Sequence, residues 1–340
     1  MFKVLVLFGG RSEEHEVSCV SAVSVVEALE SRRHTVVAIG IGRDGSWHLA
    51  DPGARPLAAA GPDAVLEIPS GRVRCGTERI AVDVAFPVLH GPYGEDGTVQ
   101  GMFEMAGIPY VGSGVIGSAV AMDKDVAKRL FRDAGLPVAP FHVVRRSAFE
   151  EDPAATRREI GGRIGYPVFV KPAELGSSVG IERVEDERSI EVAVRRALSH
   201  GEKAIVEAES PGREIEVAVL DGPRASLPGE IVVDGGWYTY EAKYRDDATR
   251  LLVPAPLPEA EVATVQEMAR SAFTALECRG LARVDFFYEE EGAGFLINEV
   301  NTMPGFTPKS MFPMMWAATG VPYPELCDEL VRSAVEGGRD

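Results

Sequence analysis

Two short segments near the C-terminus carry charged and amide side chains in a strand-like alternation. They are Arg283-Val284-Asp285-Phe286-Phe287 and Phe295-Leu296-Ile297-Asn298-Glu299-Val300-Asn301. Side chains alternate between faces along a strand, so Arg283 and Asp285 share a face, as do Glu299 and Asn301. A hairpin folded symmetrically about Gly292 sets Asp285 opposite Glu299 and Arg283 opposite Asn301. Two carboxylates and an amide oxygen then converge beside a guanidinium. That oxygen-only donor set suits Mg²⁺, which keeps water and phosphate oxygens in its shell. The competing reading is a solvated strand face with cross-strand charge pairs.

Three loops add further chemistry. Lys171-Pro172-Ala173-Glu174-Leu175-Gly176-Ser177-Ser178-Val179-Gly180 follows an apolar run. Its small residues let backbone N–H groups approach a phosphate, with a lysine supplying charge. The lysine precedes the glycines, so this is not a Walker A loop, and a hairpin tip has the same composition. His90-Gly91-Pro92-Tyr93-Gly94-Glu95-Asp96-Gly97 follows the run Val82–Leu89. Ligands bind at such carboxyl ends of strands in open α/β sheets. Gly9-Gly10-Arg11-Ser12-Glu13-Glu14-His15-Glu16 occupies the same kind of position. Its acidic residues suit a helix N-terminus or the ammonium group of a substrate, and it lacks the GxGxxG pattern of a dinucleotide site.

These loops need elements to hold them. Residues 3–8 predict a strand, followed by a helix with Ala22, Val25, Val26 and Leu29 on one face. Strands at 35–41 and 82–89 complete an open α/β unit, with 44–80 as loop and edge hairpin. A helix over 118–134 stops at Gly135. Beyond it lie strands at 141–145, 167–171 and 204–208, with helices near 152–164 and 186–199. A third block contains a strand at 215–220, an aromatic loop from 235 to 250, a helix near 258–278, the hairpin, and a last helix near 323–335. A chain of 340 residues predicts two or three domains. The boundaries fall at 1–121, 122–209 and 210–340, as an N-terminal open α/β domain followed by mixed α+β blocks.

Composition narrows the partners. The net charge is −17, which argues against general binding to nucleic acid or to an anionic membrane surface. No apolar run reaches the roughly 18–20 residues of a membrane span. The N-terminal residues read as a first strand rather than a signal peptide. The four cysteines (19, 75, 278 and 327) lie far apart without a CxxC and fit thiols in a reducing cytoplasm. Basic residues comprise 28 Arg and only 7 Lys, and Lys124, Lys171, Lys243 and Lys309 all fall in candidate motifs.

Taken in order, the motifs resemble the D-alanine–D-alanine ligase family of the ATP-grasp superfamily across nearly the whole chain. They are Gly9-Gly10 with Glu14-His15-Glu16-Val17-Ser18, His90–Gly97 running into Thr98-Val99-Gln100-Gly101, Met122-Asp123-Lys124, Lys171–Gly180, Tyr240-Glu241-Ala242-Lys243-Tyr244, Arg283-Val284-Asp285, and Asn298-Glu299-Val300-Asn301-Thr302-Met303-Pro304-Gly305. The resemblance implies a two-domain ATP-grasp fold behind the N-terminal domain, with ATP clamped between its halves. It implies ligation of two D-alanines through an acyl phosphate, for peptidoglycan precursor synthesis, in a cytoplasmic homodimer.

Residue roles follow from the resemblance alone. Asp285, Glu299 and Asn301 resemble the ligands of two Mg²⁺ ions, with Mn²⁺ able to substitute. Lys124, Lys171, Ser178, Lys243, Glu207 and Glu214 resemble ATP-binding residues. Glu14 would hold the ammonium group of the first D-alanine, and Glu14, Ser177 and Tyr244 resemble a hydrogen-bonded set that joins the domains on closure. Arg283 and the Gly305 N–H would form an oxyanion hole. Ser310, with Met311 beside it, would bind the second carboxylate, and His90 would lie near the first substrate. Lys309 stands at a position that varies among relatives. A D-alanine–D-lactate ligase is the alternative within the class. Its relatives replace the Tyr-Glu-Ala-Lys-Tyr segment that is present here.

Overall fold

The computed structural model describes residues 1–176, 180–233 and 249–338. Ser177, Ser178, Lys243 and Tyr244, and most of the aromatic loop expected at 235–250, lie outside the described residues.

The chain opens with β1 (Lys3–Gly9), α1 (His15–Ser31), β2 (Thr35–Ile41) and β3 (Trp47–Ala50). It continues through β4 (Ala64–Glu67), β5 (Arg72–Cys75), β6 (Glu78–Ala81) and β7 (Val84–Val88). The first sheet has the order β3-β2-β1-β7, with β1 parallel to both β2 and β7. The apolar run of β1 is buried on both faces, as a central parallel strand must be. Val4, Val6 and Phe8 pack with Val25, Val26 and Leu29 of α1, while Leu5 and Leu7 pack with Val99 and Phe103 behind the sheet. The stretch expected as loop and hairpin instead folds β4, β5 and β6 into a separate antiparallel sheet. At the end of β1, Gly9 has φ +86°, and a Cβ there would lie 2.4 Å from the Ile41 carbonyl oxygen. Only glycine allows this turn, which brings Glu14 to the carboxyl end of the sheet.

Next come α2 (Thr98–Ala106), α3 (Val115–Met122) and α4 (Lys124–Asp133). The single helix expected over 118–134 is therefore two. Asp123 is extended (φ −84°, ψ 99°), and its carboxylate accepts from the N–H groups of Asp125 and Val126, capping α4. A short side chain that satisfies two orphan donors makes a new helix start cheaper than continuation.

The central region holds β8 (Phe141–Arg145), α5 (Arg146–Glu151), α6 (Pro153–Arg163), β9 (Val168–Pro172), β10 (Glu182–Val184), α7 (Ile190–Leu198) and β11 (Lys203–Ala208). Its antiparallel sheet has the order β10-β9-β11-β8. Val168, Val170, Ala204 and Val206 turn one face onto α6 and α7. By alternation, Phe169, Lys171, Ile205 and Glu207 share the opposite face.

The last region comprises β12 (Arg213–Leu220), β13 (Arg224–Ala225), β14 (Gly229–Val233), β15 (Thr249–Leu252), α8 (Glu259–Ala275), β16 (Leu281–Glu289), β17 (Gly294–Asn301), α9 (Met311–Ala318) and α10 (Tyr323–Gly337). Its sheet runs β15-β14-β12-β16-β17, with β13 on β12. Ile215, Val217, Val284, Phe286 and Ile297 pack beneath α8. Glu214, Glu216, Arg283 and Asp285 alternate to the other face. The helix α10 crosses to the first sheet, where Leu326, Leu330 and Val331 join the core of α1.

Candidate active site

The β16–β17 hairpin pairs Asp285 with Glu299 and Arg283 with Asn301, as the symmetric fold about Gly292 predicts. The hairpin tip does not follow that symmetry, because Phe286 pairs with Ile297 and Glu289 with Gly294. A β-bulge at the Asp285/Phe286 step leaves Asn298 as the extra residue. The bulge has a consequence for chemistry. Phe295 and Ile297 face the core beneath α8, and unbroken alternation would send Glu299 and Asn301 there too. One inserted residue resets the phase, so Val300 is buried and Glu299 and Asn301 join Arg283 and Asp285 on the open face.

That face lies between two adjoining cavities. One, of about 490 Å³, is lined by Glu14, His90, Arg283, Gly305, Ser310 and Met311 among others. The second, of about 570 Å³, is lined by Lys128, Lys171, Glu207, Glu214, Asp285 and Asn298 among others. Glu216 and Glu299 line both and form the wall between them. Loops from all three major sheets reach this cleft.

Charge is closely balanced within it. The Arg283 guanidinium donates two bonds of 2.7 Å to the Asp285 carboxylate and lies 3.1 Å from Glu216. The Asn301 amide donates to Asp285 at 2.8 Å. Lys124, at the start of α4, donates to the Leu175 carbonyl at 2.7 Å and lies 3.3 Å from Glu299. Among the described residues no three His, Cys, Asp or Glu converge to hold a metal. A divalent ion here would therefore draw on two carboxylates and one amide oxygen, with ligand and water oxygens completing the shell. That donor chemistry fits Mg²⁺.

In the second cavity, Lys128 and Lys171 each lie 2.6 Å from Glu207, one on each carboxylate oxygen. Burial alone would raise the Glu207 carboxyl, but the two ammonium groups outweigh it and hold the carboxyl down at about 2. Burial works against the Lys171 ammonium as well, and Glu207 more than offsets it, so that group is raised.

In the first cavity, His90 Nδ1 lies 2.9 Å from the Met303 carbonyl oxygen. A neutral ring facing a carbonyl through Nδ1 carries its proton there, which leaves Nε2 as an acceptor, buried and without a hydrogen-bond partner among the described residues. Glu95 accepts from the N–H groups of Gly91 and Met303, at 2.8 and 3.4 Å. His90 and Glu95 thus hold both the N–H and the C=O of Met303, two residues before Gly305. Enclosure of the Glu95 carboxyl, and next the Glu14 charge, push it up to about 8. Ser310 stands at the N-cap of α9, where its hydroxyl accepts from the Thr307 N–H at 3.1 Å. Lys309 lines the same cavity and is exposed.

The cleft therefore gathers every described residue that the sequence singled out, and adds Glu95, Lys128 and Glu216. Position marks two of them, since Glu95 lies inside the His90–Gly97 loop and Glu216 is two residues beyond Glu214 on a strand, whereas Lys128, one turn beyond Lys124 on α4, reads as an exposed helix position.

Residues 3–113 match the family described as D-ala D-ala ligase N-terminus, and residues 130–332 match D-ala D-ala ligase C-terminus. The chain is 48% identical to a D-alanine–D-alanine ligase of Streptomyces avermitilis, over 98% of this chain and 94% of that protein. A D-alanine–D-alanine ligase of Mycobacterium bovis is 45% identical, over 99% of this chain and 96% of that one. Among solved structures, the VanG D-Ala:D-Ser ligase from Enterococcus faecalis superposes with a TM-score of 0.87 at 35% identity, covering 98% of this chain and 99% of that one. The D-alanine–D-alanine ligase from Coxiella burnetii gives a TM-score of 0.87 at 33% identity, covering 99% and 94%.

Proposed function

The chain belongs to the D-alanine–D-alanine ligase family, and from that premise we propose how its cleft joins two D-alanines at the expense of ATP. The observation that carries the reading is the bulged hairpin, which presents Arg283, Asp285, Glu299 and Asn301 together between two cavities. The cavity of Lys128, Lys171, Glu207 and Glu214 receives the nucleotide, with Ser178 and Lys243 acting on it as well. The cavity of Glu14 and Ser310 receives the two D-alanines. The chain divides into 1–121, 122–209 and 210–340, a division supported by one major sheet in each range.

The reaction has two bond-forming steps. A carboxylate oxygen of the first D-alanine attacks the γ-phosphorus of ATP, and the bond to the bridging oxygen of ADP breaks. The neutral amine of the second D-alanine then attacks the acyl carbon, and phosphate leaves with the oxygen that formed the C–O–P link and with the proton that the nitrogen gives up. Lys124 and Lys171 hold phosphate oxygens. Glu14, at the carboxyl end of β1, fixes the first ammonium group, and the Nε2 acceptor of His90 lies beside that substrate. Arg283 and the Gly305 N–H donate to the oxygen that gains charge as the amine attacks, in a site already arranged for it. Ser310 and the N-terminus of α9 hold the second carboxylate, with Met311 against the substrate methyl. Asp285, Glu299 and Asn301 would hold two Mg²⁺ ions, which would supply neutralisation of phosphate charge. Exclusion of water from the acyl phosphate is the role that the family resemblance gives to Ser177 and Tyr244, which lie outside the described residues. The protein acts as a cytoplasmic homodimer. Among the described residues no helix is long and apolar enough to cross a membrane.

Substrate choice is tested by supplying D-alanine and D-lactate together with ATP at neutral pH. Dipeptide is expected to be the main product, because an amine is the stronger nucleophile for the acyl carbon. A larger yield of depsipeptide would overturn the assignment of D-alanine as second substrate.

A further inference from the structure

Lysine is scarce in this chain, yet two lysines converge on a single buried carboxylate. Lys128 Nζ lies 2.6 Å from one oxygen of Glu207, and Lys171 Nζ lies 2.6 Å from the other. The three side chains are nearly closed to solvent, at 2% exposure for Lys128, 5% for Glu207 and 10% for Lys171. They come from different elements. Lys171 and Glu207 share the cleft face of β9 and β11, whereas Lys128 reaches in from α4, one turn beyond Lys124.

The two lysines are not equivalent. Lys171 is also 3.4 Å from the Asn298 amide oxygen, at the bulge beside Glu299, so its ammonium faces the phosphate end of the cavity. Lys128 is more deeply buried, and Glu207 is its ion-pair partner. A phosphate that recruits Lys171 must draw it from Glu207. If Lys171 were the sole counter-ion, that move would leave a buried carboxylate uncompensated, which is strongly unfavourable. A second lysine already seated on the other oxygen removes this penalty.

We propose that Lys128 is a positioning residue, the standing counter-ion of Glu207, and that it releases Lys171 to bind a nucleotide phosphate. The inference rests on the reading of Lys171 as a phosphate ligand. Without Lys128, Lys171 would be held on Glu207 in most molecules. A lysine so held in about nine of ten molecules weakens apparent affinity about tenfold.

The test is titration calorimetry of the full chain with ATP in excess Mg²⁺ and no D-alanine. Lys128→Met is expected to raise the Kd roughly tenfold, and Lys128→Arg to restore most of the loss. The decisive comparison is Lys128→Met/Glu207→Gln against Glu207→Gln alone. Once the carboxylate charge is gone there is nothing for Lys128 to neutralise, so these two are expected to bind ATP equally. A purely structural role for Lys128 would not produce that equality. Wild-type affinity in Lys128→Met, or further loss in the double variant beyond Glu207→Gln, overturns the proposal. If Lys128→Met does not fold, the comparison in the Glu207→Gln background decides alone. Lys171→Met separates the premise: tighter or unchanged ATP binding there removes the phosphate reading and the proposal with it. Loss in Lys171→Met alongside wild-type binding in Lys128→Met removes only the proposal.

Discussion

Replacing Arg283 with Met is expected to lower kcat by about 10²–10³-fold, the cost of removing one preorganised donor from a developing oxyanion. The arginine is well placed for such an effect. Its side chain is 14% exposed, and two carboxylates, Asp285 and Glu216, fix its plane. A rigid guanidinium needs little reorganisation when charge appears on the substrate. Arg283→Lys is expected to fall between the two, because an ammonium keeps the charge and loses the planar fork. Removing the arginine also leaves Asp285 and Glu216 without their shared cation, so melting temperature must be measured beside kcat. A folded Arg283→Met variant with undiminished kcat would show that the oxyanion site lies elsewhere.

The second large effect is expected at Glu299. It lines both cavities, pairs with Asp285 across the hairpin, and lies 3.3 Å from Lys124. Glu299→Gln keeps the shape and removes the charge. Several kcal/mol of charge stabilisation, at about 1.4 kcal/mol per factor of ten, corresponds to a loss of about 10³-fold in kcat. The Mg²⁺ concentration for half-maximal rate should rise at the same time. Electron paramagnetic resonance of Mn²⁺ with ATP supplies a readout independent of turnover, because a lost ligand shifts the metal from bound to free. An unchanged metal requirement would remove Glu299 from the metal set.

Several of these features were legible in the sequence for identifiable reasons. The buried run of β1, the turn at Gly9-Gly10 and the alternation around Arg283 follow from periodicity and from glycine's tolerance of positive φ. The site register was legible although the hairpin tip was not. Symmetry about Gly292 assumes equal strand counts, and the bulge at Asn298 moves the tip by one residue while leaving Asp285 opposite Glu299. Nothing local in Ile297-Asn298-Glu299 announces that bulge, since it is fixed by the core packing of Ile297 and Val300 on either side. The break between α3 and α4 was written in the Met122-Asp123-Lys124 step, but a capping aspartate also occurs on exposed helix faces. Lys128 shows the limit most clearly. A lysine at helical spacing reads as solvated surface, and its burial depends on Glu207, 79 residues further along the chain. Lys203, at the start of β11, is similarly half-buried against a carboxylate distant in sequence, Asp123, with Asp125 and Glu174 nearby.

The most direct test of the account follows an oxygen atom. D-alanine labelled with ¹⁸O at both carboxylate oxygens is incubated with the full-length protein, ATP and Mg²⁺, and the released phosphate and the dipeptide are analysed by mass spectrometry. An acyl phosphate requires one labelled oxygen to leave with each phosphate, in equal number to the dipeptide formed, and one to remain in each peptide carbonyl. Dipeptide formed with unlabelled phosphate would contradict the reaction assigned to this cleft.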